Sequence, residues 1–220
     1  MNTLRLSLRT HRALLLIVLP YAAVAMLLAG GLPSAADILN VLAGFLVAIL
    51  TGPVFILCGY TIHVMLMRRP HRLCHYLYHD LRGYLSNERL LHALPAMLLI
   101  PIFASSFTVF KAAIPRLHAY TWDATLSSWD MALHGGMAPW ERLQPLLGHP
   151  LVTGLLNFAY HFWFFLFYAV LYWLILDTRR PLLRMQFLLS FALTWIGLGS
   201  IMAVLFASVG PCYYGHLHAR

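Results

Sequence analysis

Charge is what this sequence has least of. Only 10% of its 220 side chains are charged, and acids are the scarcer sign, 7 Asp+Glu against 15 Lys+Arg. A soluble domain carries about 25% charged and about 45–50% apolar residues, whereas 61% of this chain is hydrophobic and its mean hydropathy is +0.75. An ordinary soluble fold is excluded. The net charge of +8 therefore flanks apolar segments, where basic residues set membrane orientation and do not build a nucleic-acid face. Cysteine is also sparse. Cys58, Cys74 and Cys212 show no CxxC spacing, which excludes a zinc ribbon or a disulfide framework.

Long apolar runs are what the chain has in abundance. A spanning helix needs about 20 mostly apolar residues, because only a backbone bonded to itself can cross hydrocarbon. Five stretches qualify, at residues 13–29, 38–67, 91–110, 151–176 and 182–209. The Gly52-Pro53 pair predicts a kink rather than an end, and Pro95 and Pro101 are tolerated in the third run. The first run follows Arg5, Arg9 and Arg12 as in a secretory signal, but its length favours a retained span. The expected fold class is all-α: one polytopic membrane helical bundle of about five spans plus an external interfacial segment over 119–148. A cytoplasmic amino terminus gathers eleven of the fifteen basic residues inside, so the carboxyl terminus is expected outside.

The inner loop places His71, His75 and His79 at four-residue steps, followed by Asp80. On a helix they share one face, a plausible metal set. Membrane metal centres of this kind draw on several His clusters, and no second cytoplasmic one occurs. The leading reading is a basic interfacial helix anchored by Tyr76, Tyr78 and Tyr84, with metal ligation by His71, His75 and His79 as its rival. A shared haem is excluded by depth, since His63 lies near the inner end of its span and His161 well in from the outside. His161, within an aromatic helix, reads as a packing residue or, as an ionisable group in a bundle, as a functional candidate.

The outer loop carries Trp122, Trp129 and Trp140 with leucines at helical spacing, predicting one or two short amphipathic helices broken at Gly135-Gly136 and Pro139. Anchoring explains the tryptophans. It does not explain Lys111, Arg116, Asp123, Asp130, His134 and His149 on the same side, nor the turn Gly210-Pro211-Cys212-Tyr213-Tyr214-Gly215 that ends the fifth span there.

FKAAIP (110–115), WDATLSSWDMALHGGMAPW (122–140), the passage from LLGHP to FAYHFWF (146–164) and GPCYYG (210–215) carry a resemblance. Over residues 91–215 the chain resembles the type 2 phosphatidic acid phosphatase superfamily, in its inositol-phosphotransferase-like branch related to inositol phosphorylceramide synthases. The resemblance implies a lipid-phosphate phosphatase or phosphotransferase with an outward-facing site in a bacterial inner membrane. It implies membrane lipids and a lipid phosphate as partners, no nucleic acid and no cofactor. In that family one His attacks phosphorus, a second His paired with Asp protonates the leaving alcohol, and Lys and Arg hold the phosphate oxygens. Lys111 and Arg116 correspond to those cations, although their spacing departs from the family's and interfacial snorkelling also accounts for them. His161, Gly210, Pro211, Tyr213 and Tyr214 complete the expected substrate site. No Pro-Ser-x-His motif occurs, and His216 and His218 lack a partnering Asp, so the catalytic residues are unassigned and the sequence is expected to lack the family's catalytic half. Two rivals follow: a non-catalytic lipid-binding or assembly subunit, and a His-loop metalloenzyme.

Overall fold

The apolar runs fold as helices, and in a computed structural model all regular structure among the described residues is helical. The structure describes residues 2–30, 35–210 and 213, with side chains at 6–30, 43, 47, 52–210 and 213. The helices are α1 (Asn2–Thr10), α2 (Arg12–Leu28), α3 (Ala35–Met67), α4 (Leu73–Tyr84), α5 (Asn87–Leu117), α6 (Asp123–Leu133), α7 (Pro139–Leu147), α8 (Pro150–Leu176) and α9 (Pro181–Ile196). A π-helical turn, Gly197–Met202, carries α9 into a last turn, Ala203–Leu205.

Among the described residues, three helices are long and apolar enough to cross a membrane: Asn87–Leu117, Pro150–Leu176 and Pro181–Leu205. Arg12–Leu28 and Gly52–Met67 are shorter apolar helices. Phe158 is 68% exposed and Trp163 53%, a surface untenable in water and ordinary in hydrocarbon. The chain is an integral membrane protein. Helix α3 runs through Gly52-Pro53 without ending, and α5 carries Pro95 and Pro101 inside it.

The chain divides into two compact units, Met1–Val109 with Phe165–Leu193, and Phe110–Phe164 with Thr194–Arg220. In the first unit, Leu14, Val18, Tyr21 and Ala25 form a buried stripe along α2, the spacing that keeps residues on one helix face. Tyr21 and Phe191 both pack on Phe103 of α5, at centroid distances of 5.4 and 5.7 Å. Ala93 and Ala96, both fully buried, let other elements approach α5 closely, as small residues do in membrane bundles. Gly52 of α3 lies against the Tyr172 ring of α8, with no room for a Cβ.

A polar tie stitches α1, α5 and α9 within this unit. The Ser7 hydroxyl donates to the His92 carbonyl at 2.9 Å, and Arg184 Nη2 donates to His92 Nδ1 at 3.3 Å. His11 Nδ1 donates to Ser7 O at 2.8 Å. Ser7, His11 and Arg184 are all fully buried. Burial holds the His11 imidazole below its ordinary range; the nearby Arg184 and His92 act in the same direction, and the bond to Ser7 opposes them.

Candidate functional site

The second unit contains the outer segment read from the sequence, and its two halves are separate helices. Helix α6 ends with a left-handed Gly135, φ +65°, and Gly136 N–H returns to Met131 O at 2.8 Å. That is the Schellman closure, which needs φ above zero at the residue after the cap and so favours glycine there. Helix α7 then starts at Pro139, whose missing N–H costs nothing in a first turn.

Asp123, the first residue of α6, is only 4% exposed. A buried carboxylate needs donors, and it finds them 85 residues away: the Ser208 hydroxyl and, at 3.0 Å, the Val209 N–H both donate to Oδ1. The Gly210 N–H in turn donates to Ser208 Oγ at 3.1 Å. Trp122, just before α6, packs edge-on against Phe206 at 4.9 Å, and its N–H reaches Ala207 O at 3.4 Å. The Asp123 carboxylate, in the first turn, also suits the positive end of the α6 dipole. The start of α6 and residues 206–210 are thus one bracket. Further along, Asp130 of α6 and Trp140, Leu143, Gln144 and Leu147 of α7 line a recess of about 340 Å³.

The expected substrate residues are only partly gathered by this bracket. Gly210 belongs to it, with φ +86°, and exposed Tyr213 donates its N–H to Gly210 O at 3.1 Å. Pro211 and Tyr214 lie outside the described residues, as do Cys212, His216 and His218. Lys111 and Arg116 are exposed on α5, and five positions at about 100° per residue turn them to different sides of that helix. Exposed His161 donates Nδ1–H to Asn157 O at 2.8 Å, inside its own helix. His118 and His134 do likewise with Ala119 O and Asp130 O, both at 2.7 Å. Such bonds place a proton on Nδ1. His149 Nδ1 accepts from Leu151 N–H at 3.3 Å.

In the histidine loop between α3 and α5, helix α4 begins at Leu73, so His71 stands ahead of it and does not share its face. His75 Nε2 and His79 Nε2 approach to 3.1 Å. Asp80 is engaged by the Tyr60 hydroxyl of α3 instead of joining them. Among the described residues no group of three His, Cys, Asp or Glu side chains is placed to hold a metal. Two features escaped sequence reading: the Asp123–Ser208 link and the Ser7–His92–Arg184 tie. The second had a visible signal, a lone arginine inside the apolar run 182–209. Comparison with protein-family models, curated proteins and solved structures finds no match to this chain.

Proposed function

We propose that this chain handles lipid phosphates at the outer face of a bacterial inner membrane, as a phosphatase or phosphotransferase of the type its motifs resemble. In this reading five spans cross the membrane, the amino terminus is cytoplasmic and the carboxyl terminus external. The Asp123 bracket carries the proposal: it joins the start of helix α6 to the turn at residues 206–210, two segments whose motifs both belong to the resemblance. Lys111 and Arg116 are the cations the resemblance offers to phosphate, reaching it from different sides of α5, and the α6–α7 recess takes apolar substrate surface.

The experiment is phosphate release from phosphatidic acid by the purified chain in phosphatidylcholine vesicles. Replacing Lys111 and Arg116 together by Ala lowers turnover about a hundredfold, the usual loss when a transition-state donor is removed. A second reading has its own observation. In this unit His118, His134 and His161 bond backbone carbonyls rather than carboxylates, an arrangement that favours a lipid-binding subunit without chemistry. Phosphatidic acid binding without release decides for the subunit, and neither binding nor release sinks both.

A further inference from the structure

Within the first unit, α3, α4 and the carboxyl-terminal half of α8 line a half-open cavity of about 590 Å³, inside the range of small-molecule sites, about 300–1,000 Å³. Its long walls are apolar: Ile56 and Gly59 from α3, Leu81 from α4, and Phe165, Ala169 and Trp173 from α8. The ionisable groups His63 and Asp80 line it together with the hydroxyl-bearing rings Tyr60, Tyr84 and Tyr172. The Tyr60 hydroxyl donates to Asp80 Oδ2, so the one carboxylate there already has a donor. Two guanidiniums stand behind lining rings on two walls: Arg89 is 3.9 Å from the Tyr84 ring of α4 and donates to Tyr84 O, and Arg180 is 5.7 Å from the Trp173 ring of α8 and pairs with Asp177 at 3.4 Å. The connecting segments 68–90 and 177–180 hold seven arginines against three carboxylates.

We propose that this cavity holds one acyl chain of an anionic phospholipid, whose phosphate meets His63, Arg89 and Arg180 at the polar end. A bilayer chain gains no transfer energy on entering, because it leaves one hydrocarbon medium for another. Occupancy comes from filling a void whose walls otherwise lack dispersion partners, and selectivity comes from pairing phosphate with guanidinium. A neutral or zwitterionic lipid satisfies the first condition only. The site lies in a different unit from the Asp123 bracket and does not rest on phosphate chemistry there.

Trp173 in the wall provides the readout. The full chain is reconstituted in phosphatidylcholine vesicles containing either phosphatidylglycerol or phosphatidylcholine with brominated acyl chains, and the quenching lost in Trp173→Phe is assigned to this site. Brominated phosphatidylglycerol quenches that component at a mole fraction about tenfold lower than phosphatidylcholine, the ratio expected from about 1.4 kcal/mol of headgroup pairing. His63→Ala with Arg89→Ala removes the headgroup preference and leaves quenching by either lipid. Gly59→Leu fills the cavity and abolishes the preferential quenching, and Ala169→Leu does the same from the α8 wall should the first variant fail to fold. Equal quenching by the two lipids means ordinary annular contact and overturns the proposal. So does unchanged preference in a folded cavity-filled variant, or a Trp173 screened from both lipids by a bound polypeptide.

Discussion

A methyl group on Gly52 would lie 1.9 Å from Cε2 of Tyr172, whose residue is only 6% exposed. Two effects compete there. Alanine is favoured over glycine inside a helix by about 1 kcal/mol, whereas overpacking a filled interior costs about 1–3 kcal/mol. The overlap leaves no space for the ring to keep its place, so the clash wins. Gly52→Ala should lower the thermal unfolding midpoint in detergent, and adding Tyr172→Leu should return part of the loss, because touching residues couple. A higher midpoint for Gly52→Ala alone would show that α3 and α8 do not meet in this way. The sequence already pointed to a special role for Gly52-Pro53, as a kink in a continuing helix. It could not show that the glycine is a contact, because Tyr172 lies 120 positions on in the chain.

At the scale of the element, the π turn Gly197–Met202 in the second unit decides where the residues of the bracket point. A π turn closes i→i+5 bonds and so accommodates one residue more than an α turn. Leu198 lies in it and is 66% exposed. Deleting Leu198 should let the turn close as α-helix with both flanks kept in place, leaving Ser208 and Val209 on Asp123. Inserting an alanine after Leu198 should instead swing residues 203–210 by about 100° and break the bonds to a buried carboxylate, worth about 1.5–3 kcal/mol each. Unfolding midpoints of the two variants check this, and equal losses would reject the role given to the turn. What was legible here and what was not divides along range. The α6–α7 break was readable because Gly135, Gly136 and Pro139 act on their own backbone, and the tryptophans marked the interface by composition. The Asp123 link was not, since it depends on which distant donors reach a helix start. His71 was misplaced on the α4 face for a local reason: Arg69 has φ +42° and Pro70 follows, and the helix starts only at Leu73.

For the whole molecule the governing quantity is sidedness. Helices Asn87–Leu117, Pro150–Leu176 and Pro181–Leu205 have the length and apolarity to span, and Arg12–Leu28 and Gly52–Met67 are shorter. In the proposed five-span topology the positive-inside rule puts the arginines at 68–89 and 179–184 in the cytoplasm and the Asp123 bracket outside. Free, exposed Cys74 of α4 is a built-in reporter for the proposed inner side once Cys58 and Cys212 are changed to Ser. Leu133, at 79% exposure, and Tyr213, at 63%, report the proposed outer side and accept a cysteine without disturbing a buried contact. In intact cells an impermeant maleimide should label Leu133→Cys and Tyr213→Cys and spare Cys74, which should react only after lysis. The opposite pattern would invert the protein, placing the bracket beside the cytoplasm and removing the outer-leaflet phosphate site. Labelling of Leu133→Cys without Tyr213→Cys would break the bracket itself, because Asp123 holds Ser208 and Val209 directly and leaves no membrane's width between α6 and the turn at Gly210.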